Sequence, residues 1–168
     1  MANEILTKFG ASTALDFGPA ASVFKNLADG SICWCAPVVD ASPSAPQVML
    51  HAWIKVHSTA PTAGGTIEFY LIRADDNGTE IRDGDTINTA DHGTNDTAAV
   101  VTRCRNEAEF IGAIVVDVTV SIVYHKSFVI DNPGTDWNVM VYQKTGQVLA
   151  NEDSVHGVNW RSMIPEVQ

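Results

Sequence analysis

Residues 48–57 read VMLHAWIKVH, and this stretch decides the fold class. Apolar side chains alternate along it with a more polar set, which is the pattern of a β-strand with one buried face. The stretch therefore predicts a sheet that packs on one side against a core. The predicted buried face carries Val48, Leu50, Ala52, Ile54 and Val56.

Further strand patterns flank this stretch and are separated by glycine, proline and asparagine turns. We predict that residues 66–74 pair with residues 48–57 in a hairpin closed by the Ala-Gly-Gly turn at 63–65. No segment of useful length holds the apolar repeat of an amphipathic helix, and residues 101–110 predict only one short helical turn. Turns are also predicted at 75–78 and 131–134, and a long polar loop at 82–97. The other predicted strands cover residues 14–17, 31–36, 110–120, 121–130, 137–143 and 155–163, the last one stopped by Pro165.

Together these strands predict an all-β protein, a jelly-roll-like β-sandwich with an extended N-terminal arm. Residues 1–30 hold the arm and a first short strand, and residues 31–168 form a single β-sandwich domain. The arm keeps neither the helical nor the strand period for long. Its apolar side chains must therefore cover either their own domain or a neighbouring subunit. The candidate interface residues of the arm are Ile5, Leu6, Phe9, Leu15 and Phe17.

The bulk composition narrows the possible partners. The 168 residues carry 20 acidic and 10 basic side chains, for a net charge of −10. Nucleic-acid binding needs clustered Lys and Arg, so we expect none. The apolar runs are far shorter than the roughly 20 residues that span a bilayer, and the first ten residues lack a signal-peptide pattern, so we expect a soluble protein without membrane contact. The three cysteines do not suit a disulfide framework and indicate folding in a reducing compartment.

The reactive residue types do not form a recognisable catalytic or metal-binding pattern. His51 and His57 lie on one strand face roughly 20 Å apart, too far to share a metal ion. Cys33 and Cys35 flank Trp34 and fit two small buried hydrophobic side chains with an oppositely directed tryptophan between them. We therefore predict a protein that is not an enzyme, with no catalytic residue, no cofactor and no metal site. A sugar or peptide hydrolase with two convergent carboxylates or a His–Cys pair is the minor alternative.

Two other features leave alternatives open. The acidic residues of segment 75–85 resemble a calcium loop in composition, but they lack the EF-hand order, and turns favour the same residue types. The tryptophans are candidates for a sugar-binding platform, because an aromatic face suits the apolar face of a sugar; they are Trp34, Trp53, Trp137 and Trp160. Trp137 lies on an alternating core face and is predicted to be buried, whereas the sequence does not decide whether Trp53 and Trp160 are buried or exposed.

The sequence as a whole resembles a loose group of small virion proteins of tailed bacteriophages. The resemblance begins with MANEILTKFGA at 1–11 and TALDF at 13–17, and it continues through the strand patterns at 48–56 and 66–74. It also includes a D-x-N-G-T turn at 75–79. Residues 33–46 depart from the group because they are richer in cysteine and proline. The last matching segments are FIGAI at 110–114 and WNVMV at 137–141.

This resemblance implies a structural role in the virion and no catalytic residues. We expect a capsid decoration, or cement, protein that forms a homo-oligomer, preferably a homotrimer, and bridges subunits of the major capsid protein. It would be made in the cytoplasm of the bacterial host and would lie on the outer surface of the capsid. The alternative is a tail or fibre accessory protein with a carbohydrate-binding face.

Overall fold

The strand that decides the fold class is present, and its burial alternates as predicted. The computed structural model describes residues 5–39, 46–73, 92–134 and 136–167. In β5, Val48, Leu50, Ala52 and Ile54 are buried, and the residues between them are partly exposed. The elements are β1 (Ile5–Phe9), β2 (Thr13–Ala14), a 3-10 helix (Pro19–Phe24), β3 (Ile32–Trp34), β4 (Val38–Val39), β5 (Gln47–Lys55), β6 (Thr66–Arg73), β7 (Gly93–Asn95), α1 (Ala98–Glu107), β8 (Glu109–Val115), β9 (Val123–Asp131), β10 (Asp136–Lys144) and β11 (Gly157–Val167).

The strands form two antiparallel sheets, which confirms the prediction of an all-β sandwich. The first sheet has the order β1-β11-β5-β9, and β2 also pairs with β11. The second sheet has the order β7-β3-β10-β6-β8, and β4 also pairs with β10. A jelly-roll connection of these strands stays a prediction. Among the described residues, no helix is long and apolar enough to cross a membrane.

The core lies between the two sheets and receives side chains from both. The first sheet contributes Leu50 and Phe128, and the second contributes Phe69 and Val139. The rings of Phe69 and Phe128 lie 4.8 Å apart, centroid to centroid, across the two sheets. These contacts bury the alternating apolar faces, which is the main stabilising term in a sandwich of this kind.

The predicted hairpin between β5 and β6 is wrong. β5 pairs with β11 and β9 in the first sheet, whereas β6 pairs with β10 and β8 in the second. Residues 56–65 cross from one sheet to the other, and Val56 stays in the core on the way. The ten-residue connection is long enough to span the roughly 10 Å between packed sheets, so the two strands can join opposite sheets and bury their apolar faces from both sides of the core.

The second sheet is covered on its outer face as well, by helix α1. The predicted single helical turn is in fact a ten-residue helix. Its buried residues Val101 and Cys104 join a second apolar cluster with Trp34, Met140 and Tyr142 of the sheet. The helix was underestimated because only these two side chains on it are buried, so its apolar repeat is short.

An ion pair also holds this helix on the sheet. Arg105 donates from its guanidinium to Glu68 at 2.8 Å and to the hydroxyl of Tyr70 at 3.0 Å, and its guanidinium carbon lies 4.1 Å from the ring centre of Tyr142. Partial burial by itself raises the pKa of Glu68, but the hydrogen bond from Tyr70 and the charge of Arg105 outweigh it, so the net pKa is lowered. Glu68 therefore stays ionised and serves as an anchor for the helix.

Pro165 does not stop the last strand, because β11 continues past it and pairs Pro165 with Thr7 of β1. The pairing with β5 ends at Met163, so the missing N–H of Pro165 falls where β11 has a neighbour on one side only. The predicted turn at 75–78, the calcium-like segment and most of the polar loop at 82–97 lie outside the described residues. The described end of that loop contains β7.

Candidate interaction surfaces

The five candidate interface residues of the N-terminal arm divide between the surface and the core. Leu15 and Phe17 are 6% and 1% exposed, so they pack inside their own sandwich. Phe9, in contrast, is 47% exposed on the outer face of the first sheet. Ile5 and Leu6 belong to β1, which pairs with β11 of the same chain. The described part of this segment thus contacts its own domain, and its role as an interface stays a prediction.

An exposed apolar surface occupies the end of β8 and its connection to β9. Val115, Val118, Val120 and Ile122 are between 39% and 63% exposed, and we name these four residues the valine tip. Branched aliphatic side chains at this exposure leave apolar area in water, which is unfavourable by about 25 cal/mol per Å². A cluster of such residues is typical of a surface that another molecule covers.

Hydrogen bonds fix the connection that carries the valine tip. The backbone N–H of Val56 donates to the carbonyl of Ile122, and that of Ser121 donates to the carbonyl of His57, both at 3.0 Å. Asp117 accepts from the N–H of Thr119 and the hydroxyl of Tyr124, both at 2.7 Å, and these bonds lower its pKa. These bonds tie the connection to β9 and to residues 56 and 57 of the sandwich.

The outer face of the first sheet carries an aromatic and polar cluster, which we name the histidine face. It consists of His51 and Trp53 on β5, His125 and Ser127 on β9, and Asn159 on β11. His51 Nδ1 lies 3.0 Å from the hydroxyl oxygen of Ser127, and His51 Nε2 lies 3.5 Å from His125 Nδ1. The rings of His51 and Trp53 pack at 6.2 Å, centroid to centroid.

A glycine on the neighbouring strand fixes the position of Trp53. Gly157 of β11 lies directly opposite Trp53, and a Cβ atom built on it would be only 2.3 Å from the indole ring. The indole therefore lies across the glycine, an arrangement that protects a glycine in a sheet by covering it with an aromatic ring. Trp160, the other tryptophan whose burial the sequence does not decide, packs edge-on against buried Trp137, with the ring centroids 5.6 Å apart. The predicted burial of Trp137 is confirmed.

Two shallow depressions border the histidine face, with volumes of about 260 and 460 Å³. Asn159 lines both of them. His51 and Arg161 line the smaller depression, and Trp53 and Asp16 line the larger one. Each depression thus offers hydrogen-bonding groups of several kinds beside one tryptophan, Trp160 in the smaller and Trp53 in the larger.

The buried titratable groups have structural partners. His156 accepts a hydrogen bond at Nδ1 from the N–H of Lys55 at 3.2 Å, and its Nε2–H donates to the carbonyl of Ala150 at 2.9 Å. Burial lowers the pKa of His156, so the ring is held neutral. Cys33 and Cys35 are buried, as predicted, and burial raises the pKa of Cys35 to about 12. A thiol in this state is unsuited to act as a nucleophile or a metal ligand.

Sequence reasoning missed the contact between His51 and His125. The two residues are far apart in the chain, and only the register of β5 with β9, which pairs His51 with Ser127, brings them together. Within the part of the chain that the structure describes, no group of three or more His, Cys, Asp or Glu side chains could hold a metal ion. The one cross-strand contact between His51 and His125 is enough to place two imidazole rings side by side.

The sequence matches no protein-family model and no curated protein.

Proposed function

We propose that this chain is a non-enzymatic structural protein of a bacteriophage particle, in first place a capsid decoration protein. It associates with copies of itself, preferably as a homotrimer, and bridges subunits of the major capsid protein on the outer surface of the capsid. The resemblance to small virion proteins of tailed phages supports this role. The proposal involves no cofactor, nucleic acid or membrane.

The valine tip is the observation that carries the proposal. Covering a single exposed valine or isoleucine completely stabilises an assembly by up to about 1.5–3 kcal/mol, so four partly exposed ones can contribute several kcal/mol. Hydrogen bonds already fix the segment, and a partner that covers it therefore loses little conformational entropy on binding. A preorganised apolar surface of this kind suits the centre of a protein interface.

The charge distribution favours a second copy of the chain as the molecule that covers the tip. Each copy carries a net charge of −10, so copies repel one another, and contact is least unfavourable where charges are sparse. Asp117 is the one charged residue in the segment 115–122. Three tips that meet around a three-fold axis bury apolar surface and leave the other acidic groups at the periphery.

The mass of the purified protein tests this self-association. We expect the wild-type chain to behave as a trimer in light scattering coupled to size-exclusion chromatography, and the double variant Val118→Asp/Val120→Asp as a folded monomer. Val129→Asp is the matched control, because Val129 is 53% exposed but lies on β9 outside the tip. A wild-type protein that stays monomeric at high concentration would contradict the proposed contact, and so would an unchanged mass of the double variant.

The location in the particle requires a separate experiment. Labelling electron microscopy of purified virions, with an antibody against this chain, should mark the capsid surface. Label confined to the tail, or no label on the particle, would rule out a decoration protein.

The N-terminal segment offers a further test of assembly. Removal of residues 1–12 deletes β1, an edge strand, and leaves Leu15 and Phe17 in the core. We expect the shortened chain to fold and to assemble less well, as measured by circular dichroism and by binding to capsids that lack the protein. If the shortened chain does not fold, the segment serves the fold of its own domain and not the assembly.

A carbohydrate-binding face on a tail or fibre accessory protein is the second candidate function. The orientation of Trp53 favours it, because the indole is fixed over Gly157 beside the side chains of His51 and Asn159. A glycan array should then show binding that Trp53→Ala abolishes and Trp53→Phe partly keeps. An array without any bound glycan, or binding that persists in Trp53→Ala, would argue against this candidate.

A further inference from the structure

We propose that His51 and His125 together bind one transition-metal ion between β5 and β9. The two nitrogens that face each other, Nε2 of His51 and Nδ1 of His125, are 3.5 Å apart. In a tetrahedral site with Zn–N bonds of 2.0–2.1 Å, two imidazole nitrogens lie about 3.4 Å from each other. The spacing of these two nitrogens therefore matches that of two ligands on one ion.

The arrangement of the rings supports the same conclusion. The ring centroids are 5.6 Å apart, and the ring planes differ by 27°. The centroid distance exceeds the 3.5 Å between the nitrogens, so these two atoms lie on the sides of the rings that face each other. His125 is exposed, so a rotation about its side-chain bonds can direct its lone pair at an ion that His51 holds.

The contact of His51 with Ser127 is compatible with the tautomer that a metal requires. When Nδ1–H donates to the hydroxyl oxygen of Ser127 at 3.0 Å, the lone pair of the ring lies on Nε2, the atom that faces His125. Metal-binding histidines commonly use their second nitrogen in this way. The ring of Trp53 packs beside the same imidazole and limits its rotation.

Two neutral imidazoles select the class of ion. Imidazole nitrogen suits Zn²⁺, Cu²⁺ and Ni²⁺, whereas Mg²⁺ and Ca²⁺ prefer oxygen ligands. Water completes the coordination, because the site faces solvent. Since β9 is an edge strand of the first sheet, a bound ion ties that edge to β5 and stabilises the folded chain by mass action. This inference does not depend on a role in a virion.

The experiment uses the full chain without a histidine tag, after treatment with a chelator. Isothermal titration with NiCl2 and ZnCl2 should give one site per chain, and the same ions should raise the melting temperature, whereas MgCl2 should do neither. His51→Gln and His125→Gln should each weaken binding at least tenfold, and Ser127→Ala should weaken it by roughly tenfold, as expected for the loss of a hydrogen bond to a ligand. His57→Gln is the control, because that ring bonds instead to the N–H of Thr59 at 3.0 Å and should leave the affinity unchanged.

The imidazole resonances of the wild-type chain give a second measurement that does not rely on variants. Addition of Zn²⁺ should shift the side-chain nitrogen signals of His51 and His125 and leave those of buried His156 in place. Absence of heat and of any melting-temperature shift with Ni²⁺ and Zn²⁺ would overturn the inference. So would unchanged affinity in the folded His51→Gln and His125→Gln variants, or zinc-induced shifts at other histidines only.

Discussion

Phe17→Ala tests whether the start of the chain belongs to the core of its own domain. Phe17 is 1% exposed, and its ring centroid lies 4.6 Å from that of Phe24. Replacement of a fully buried phenylalanine by alanine removes the apolar contacts of the ring and leaves a cavity. Phe9→Ala is the matched control, because Phe9 comes from the same segment but is 47% exposed.

The expected magnitudes for the two variants differ clearly. Buried Phe→Ala changes cost about 3–5 kcal/mol, and the loss of an aromatic pair places Phe17→Ala in the middle of that range, at about 4 kcal/mol. With an m-value of about 2 kcal/mol per M in urea, the midpoint of unfolding falls by about 2 M. Phe9→Ala should cost less than about 1 kcal/mol, because half of its ring is already in water.

Urea unfolding followed by the fluorescence of the four tryptophans measures both changes. The protein concentration should be low and equal for all samples, because self-association makes the apparent stability depend on concentration. A cost below 1 kcal/mol for Phe17→Ala, together with weaker association, would refute the reasoning. Phe17 would then lie at a subunit interface, as the arm hypothesis allowed.

Three further predictions concern buried groups and one close contact. Cys33, Cys35 and Cys104 are all buried, and burial raises the pKa of Cys35 to about 12. A thiol reagent at pH 8 should therefore label none of them in the folded chain and all three in urea. Rapid labelling of the folded chain would contradict their burial. Burial holds the pKa of His156 below the value of about 6.5 expected in the unfolded chain, so its contribution to stability is fully present above pH 6.5 and is lost as the pH falls towards the folded pKa. The free energy of unfolding of wild type should therefore fall between pH 7 and 5 by up to about 1.4 kcal/mol per pH unit more than that of His156→Gln, and parallel curves would exclude this assignment. Gly157→Val places a side chain where the indole of Trp53 lies, so we expect the free energy of unfolding to fall by about 1–3 kcal/mol. The displaced indole should also be quenched more strongly by iodide, and unchanged quenching would mean that the indole does not cover the glycine.

The individual strands were largely readable from the sequence, because each depends on a local alternation. The pattern at 48–57 identified β5 and its buried face, and the interpretation of Cys33 and Cys35 as buried side chains around Trp34 is confirmed by the two separate clusters that they join. Side-chain period is a property of a few consecutive residues, so one sequence is enough to reveal it.

Strand pairing was not readable in the same way. The glycines at 63–65 indicated a turn, but a turn does not specify whether the next strand continues the same sheet or crosses to the opposite one. The contact of His51 with His125 depends on register, which no local pattern of β5 or β9 contains. The length of the ten-residue helix was underestimated because its apolar partners are on the sheet face that it covers, and its own sequence does not contain them.

The order of the strands also has a consequence for how this chain is made. β11 lies between β1 and β5 in the first sheet, and β10 lies between β3 and β6 in the second. These two central strands are the last two of the described strands, and no ladder among those strands joins sequence neighbours. Neither sheet can close before β10 and β11 have been synthesised, because β11 joins β1 to β5 and β10 joins β3 to β6. Strand pairs that are far apart in the chain fold slowly, and the strand edges that wait for β10 and β11 are open to aggregation until those strands pair.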